Sequence, residues 1–202
     1  MASPIAHSFA GLWSLLFALA RYRSQIGESW RRYLAPFLVF VLLANLPDFD
    51  FLIELGSHAG EVHRGLSHSL LAAVVVSLGV GSVWRVVPRF WDSVLLYFIA
   101  YGSHLLMDLF TGRSLGWTQS GSGIPLFWPW RQEFSSQFVL FYGVEHANVA
   151  ALFSIDNLLS CVYELLICGT LTVVLLFLWK PKLKSRRTNP SLSKVMPELQ
   201  RP

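Results

Sequence analysis

Charge is scarce in this chain of 202 residues: Asp, Glu, Lys and Arg together make up 14%, against roughly a quarter in soluble domains. With 53% hydrophobic residues beside that depletion, the composition argues against an ordinary soluble domain and for a membrane protein of one domain. Cysteine is nearly missing too. Cys161 and Cys168 sit in one apolar helix, too far apart along its axis to bond to each other, so no disulfide framework is encoded. No Gly-x-Ser-x-Gly elbow, zincin helix signature or phosphate-cradling glycine loop is expected, and serine-hydrolase and P-loop chemistry are disfavoured. The few charges give a net +4. They gather in short patches beside apolar runs rather than over one face, so direct nucleic-acid binding is not expected.

What is present is a series of apolar runs: Ser8–Ala20, Leu34–Ile53 (interrupted), Ser69–Val87, Trp91–Phe110 and Cys161–Trp179. The last three match the roughly 20 residues needed to cross a hydrocarbon core about 30 Å thick. They predict an all-α, multi-pass bundle of about five membrane helices over residues 1–179. The first run is short; Arg21 and Arg23 follow it and no positive residue precedes it, so it reads as a retained helix rather than a signal peptide. A basic tail over 180–202, polar and proline-bearing, is expected to be disordered and to attract anionic lipid.

Basic residues cluster at Arg21, Arg23, Arg31 and Arg32, at Arg85 and Arg89, and from Lys180 to Arg187. With five spans these patches share one side, which the positive-inside rule makes cytoplasmic. The stretch Phe134–Phe153 is expected to be an interfacial or re-entrant segment, because a sixth span would put the tail on the wrong side. Tryptophans near the run ends read as an aromatic belt.

The opposite side collects the chemistry. "IAHSFAG" places His7 there, "NLPDFDFL" places Asp48 and Asp50, "HRGLSHS" places His63 and His68, and "YGSHLLMDLF" places His104 and Asp108. His104 and Asp108 are four apart, on one helix face, the spacing at which two side chains share a metal or satisfy each other. Carboxylates at the depth of Asp48 and Asp50 are costly unless paired or metal-bound. Gly65 permits a turn and Ser67 is expected to cap the next helix.

Four imidazoles with three carboxylates form a mixed N/O set, suited to Zn, Mn or Fe. Seven candidates exceed one metal's need, so either two ions bind or some residues orient the ligands and act as general base. Asp50 is the candidate base. Arg64 suits bidentate phosphate binding, or equally an ion pair with Asp48 or Asp50. Glu145 and His146 are left out of the set as an interfacial pair.

These motifs, in this order and joined by "GIPLFWPW", resemble the LexA-binding, inner-membrane-associated family described as metal-dependent hydrolases. The match covers roughly residues 5–130. It implies a bacterial-type inner-membrane protein with His7, Asp48, Asp50, His63, His68, His104 and Asp108 as metal ligands. The His-x-x-x-Asp pair and N-terminal His are also distantly similar to the zinc-dependent phospholipase C and P1-type nuclease fold, which implies phosphoester substrates.

The leading expectation is therefore a membrane metal-dependent hydrolase acting on a phosphoester, phospholipid or lipid-linked, through a water activated by Zn or Mn. The alternatives are a membrane regulatory or binding protein with a structural metal, and a metal or proton transporter. The transporter ranks last, since the third and fifth runs carry few polar residues.

Overall fold

A computed structural model describes residues 2–26, 30–50, 65–118, 121–130, 132–144 and 154–187. Five α-helices organise them: α1 (Pro4–Ile26), α2 (Trp30–Asn45), α3 (Leu70–Val83), α4 (Phe90–Leu109) and α5 (Ile155–Arg187). Two single 3₁₀ turns, Leu66–His68 before α3 and Leu46–Phe49 after α2, complete the helical part.

Sequence chemistry sets the boundaries. Ser3 precedes Pro4, and its hydroxyl accepts from the Ile5 amide at 3.1 Å, so α1 starts with a side-chain cap and a proline in its first turn. The helix thus begins four residues before the apolar run and continues past Ala20, giving 23 residues rather than a short inserted piece. Pro47 stops α2: the chain leaves the α-helix at Asn45 and tightens into the 3₁₀ turn that carries Asp48. The cap of α3 is Ser69, not Ser67 as expected; its hydroxyl accepts from the Ala72 amide at 3.1 Å.

The helices pack around two centres. Leu15, Ala18, Phe40, Leu43, Leu96, Tyr97 and Ala100 form the buried contact of α1, α2 and α4. Ala6, Ala10, Met107 and Cys168 join α1 and α4 to α5. Small residues on α1 allow close approach, as in membrane bundles. At Gly11 a Cβ would stand 2.7 Å from the Phe40 carbonyl oxygen, so only glycine lets α2 lie this near.

Residues 110–144 form no helix. Short strands β1 (Thr111–Gly112) and β4 (Phe141–Tyr142) pair in parallel, and β2 (Gly116–Trp117) pairs antiparallel with β3 (Phe138–Val139). Ser136 donates to the Leu109 carbonyl at 2.9 Å, and Leu70 to that of Leu126 at 2.9 Å, so this segment lies over the C-terminal end of α4 and the start of α3. Residues 134–144 are thus no sixth span; 145–153, with Glu145 and His146, lie outside the described residues.

Exposed apolar side chains run along α2 (Leu34, Leu38, Leu42), α3 (Val74, Val75) and most of α5. Such continuous surface is a liability in water and ordinary in a bilayer. Among the described residues, Ile155–Leu178 in α5 is the one helix both long and apolar enough to cross a membrane by itself. The other helices fall short of that measure, so it shows one span of the expected five. Helix α3 has 14 residues, only about 21 Å at 1.5 Å per residue. Helices α1 and α4 are long enough but bury polar side chains: His7 and Ser14 in one, Ser93, His104 and Asp108 in the other. Helix α5 itself continues to Arg187, into the first part of the basic tail.

Candidate metal centre

Four chain segments meet where α1 begins and α4 ends. The first turns of α1 bring His7, the 3₁₀ turn at Pro47 brings Asp48, the turn before α3 brings His68, and the last two turns of α4 bring His104 and Asp108. His7, His68, His104 and Asp108 are fully buried; Asp48, 17% exposed, forms the least enclosed wall.

The distances describe a shared point. His7 Nε2 lies 3.6 Å from an oxygen of Asp48 and 3.6 Å from one of Asp108. His104 Nε2 lies 3.6 Å from Asp48 and 3.3 Å from Asp108. His68 Nε2 lies 3.5 Å from Asp48, 3.6 Å from Asp108 and 3.2 Å from His104 Nε2. A tetrahedral ion bound at about 2.0–2.2 Å spaces its ligands by roughly 3.3–3.6 Å. His7, Asp48, His104 and Asp108 each offer one ligand atom, all within 4.8 Å of one another.

The residues fit a divalent cation on a second ground. Both ring nitrogens of His7, Oδ1 of Asp48 and Oδ2 of Asp108 are buried without a hydrogen-bond partner. Buried polar atoms are rarely orphaned, because each costs its desolvation. An ion among them satisfies the inward-facing ones together, and imidazole mixed with carboxylate suits Zn or Mn.

The outer sides of the ligands are held. His104 Nδ1 lies 2.8 Å from the Ala44 carbonyl, which fixes the proton there and leaves Nε2 a lone pair facing the centre. The other oxygen of Asp108 accepts from the Ala2 amide at 3.0 Å. His7 and His104 stack with ring centres 3.8 Å apart.

Asp50 falls elsewhere than expected. It faces Nδ1 of His68 at 3.5 Å and accepts from the Ser67 hydroxyl at 2.6 Å, so it stands behind His68 rather than on the shared point. Residues two apart on a helical turn do not face the same way, and Asp48 has the inward side. Burial alone would lower the pKa of His68, but the carboxylates of Asp48 and Asp50, each 3.5 Å from its ring, more than reverse this and raise it to about 9. Burial would raise that of Asp48, yet the His68 ring 3.5 Å away and the neighbouring imidazoles bring it below the usual carboxylate range.

His63 and Arg64 lie outside the described residues. A Gly-x-Ser-x-Gly pattern does occur, at Gly112–Gly116, yet Ser114 sits in an exposed bend between β1 and β2. A nucleophile elbow needs a helix directly after the serine. Ser67, expected as a helix cap, instead bonds Asp50, and neither the Ala44 carbonyl nor Glu164 was among the expected site groups. Of these only Glu164 left a signal, a lone carboxylate inside an apolar run.

Residues 1–183 match the family model described as YdjM inner membrane protein. Among curated proteins, the inner membrane protein YbcI of Escherichia coli (strain K12) is 36% identical over 112 residues, an alignment covering 50% of this chain and 63% of that relative. The chain thus spans less than two thirds of YbcI. No solved structure matches. Both names give an inner-membrane location; hydrolysis and LexA association rest on the motif resemblance alone. With nearly its whole length inside the match, the chain belongs to the YdjM inner membrane protein family.

Proposed function

We propose that this protein is a membrane-embedded metal-dependent hydrolase acting on a phosphoester, with a phospholipid or lipid-linked phosphate as the substrate class. The observation that carries the reading is the set of orphaned, buried inward-facing atoms on His7, Asp48 and Asp108 beside Nε2 of His104. A divalent cation held by these four would supply Lewis acidity and lower the pKa of a water.

The chain's own residues supply the rest. His68 places Nε2 at the centre, where it takes a proton from, or returns one to, a reacting group. Asp50 holds the ring through Nδ1 and is thereby a positioning residue rather than the base itself. Asp48, on the open wall, marks the side from which a substrate enters. Arg64, next to the His68 turn in sequence, remains the guanidinium proposed for the phosphate. The outer membrane face, away from the basic patches, is the proposed side, with the basic loops and tail cytoplasmic.

One observation favours a second reading. His7, His104 and Asp108 have no exposure at all, as expected of a closed structural metal in a regulatory protein. A phosphodiester and phospholipid screen of the purified protein with Zn or Mn separates them. Hydrolysis by the wild type, abolished in His104→Ala, supports the enzyme; metal binding without turnover supports the structural site.

A further inference from the structure

Glu164 is the one carboxylate within the apolar stretch Cys161–Leu178 or within a turn of it, apart from Asp156 at the start of α5. It is fully buried. A carboxylate at hydrocarbon depth is retained for a reason and needs partners. Its partners are all at the start of α1. The Ser3 amide donates to Oε1 at 3.0 Å and to Oε2 at 3.2 Å, and the Ser3 hydroxyl donates to Oε2.

Helices begin with amides that have no partner inside the helix, and with the positive end of the macrodipole. At the start of α1 the Ser3 amide is satisfied by a carboxylate from another helix, and the Ile5 amide by the Ser3 hydroxyl that Glu164 itself holds. The amide of His7 closes the first helical bond, to the Ser3 carbonyl at 3.2 Å. His7 therefore sits one turn beyond the clamped residue, and the Ala2 amide beside it reaches Asp108. Unlike His104 and His68, His7 has neither ring nitrogen hydrogen-bonded. Its place is set by its backbone and by the stack on His104.

We infer that Glu164 is a positioning residue for the metal centre: by capping α1 from within the membrane-spanning helix, it fixes the register in which His7 presents its ring. The inference rests on the metal-centre reading above. It also gives α5, which contributes no ligand among the described residues, a role in the site.

The test uses the full-length protein in detergent, stripped and reloaded with Co²⁺ as a spectroscopic stand-in, with melting measured alongside. Wild type, Glu164→Gln, Glu164→Ala and His7→Ala are compared. Glu164→Gln keeps the volume and one acceptor but turns a donor toward the α1 amides. It should weaken binding by roughly ten- to a hundredfold, the range for groups that orient ligands, and shift the d–d bands at nearly unchanged melting temperature. Glu164→Ala should be weaker still. Wild-type affinity and bands in Glu164→Gln overturn the inference, as does a loss that merely follows a fall in melting temperature. Should Glu164→Ala fail to fold, Glu164→Gln alone decides. A wild type that binds no Co²⁺ overturns the metal-centre reading itself, whereas binding lost in His7→Ala and kept in both Glu164 variants overturns only the clamp.

Discussion

His68 and His104 bring their Nε2 atoms to 3.2 Å of each other across 36 residues of sequence. Since His104 carries its proton on Nδ1, toward the Ala44 carbonyl, its Nε2 offers a lone pair. In the metal-free protein the proton on His68 Nε2 faces that lone pair; with a cation on His104, the same proton would be the one His68 exchanges with a reacting group.

Asp50 separates a ligand from a group that orients one. Standing behind His68 at Nδ1, it should affect metal binding as an outer partner does. Asp50→Asn is expected to lower affinity by about ten- to a hundredfold without abolishing it, while Asp48→Asn abolishes it. Calorimetric titration of both variants checks the order; equal, complete loss would return Asp50 to the ligand set.

The proton on His68 predicts a pH signature of the metal-free protein. Burial opposes that proton, but Asp48 and Asp50 hold it up to about 9 against an ordinary 6.5. A raised folded-state pKa stabilises fully below the unfolded value and loses that stability as pH rises through the folded one. With a chelator present, the melting temperature should fall between pH 6.5 and about 9, and saturating Zn should remove the fall. Metal affinity itself should drop on acidification, since the imidazole and carboxylate ligands bind the ion only when deprotonated. Identical melting profiles with and without metal would contradict this.

Much of this was legible. The pair His104 and Asp108 could be read from spacing, because one helical turn is local geometry. The gathering of His7, Asp48 and His68 on their end followed from the order of apolar runs and basic patches. What failed depended on non-local detail. Helix α1 begins at its Ser3 cap, and capping is independent of hydropathy. Ser69 rather than Ser67 caps α3 because the Ser67 hydroxyl is drawn to Asp50. Of the five spans counted from apolar length, α5 is the one that meets that measure by itself among the described residues, while α1 and α4 carry the buried polar side chains of the centre. Glu164 escaped notice because its partner lies 161 residues away in sequence.

Gly11 should resist substitution. Gly11→Ala places a Cβ 2.7 Å from the Phe40 carbonyl and 2.9 Å from Val41 Cα, both backbone atoms that cannot swing aside. Overpacking of this kind costs about 1–3 kcal/mol, a melting loss of several degrees in detergent. Gly79, with open space where its Cβ would be, is the control and should tolerate alanine.

The proposed orientation predicts opposite reporter signals. A reporter active only outside the cytoplasm should be active when inserted in the bend at 113–115 and silent when fused after Pro202. The reverse pattern would put the centre on the cytoplasmic face and remove outer-leaflet lipids from the substrate class.

The central claim is that His7, Asp48, His104 and Asp108 hold a divalent cation. Elemental analysis of the purified wild type beside His104→Ala and Asp108→Ala tests it most directly. The account predicts about one ion or more of Zn or Mn per wild-type chain and almost none in either variant. Variants that carry as much metal as the wild type, or a wild type that takes up none when offered Zn or Mn, would contradict it.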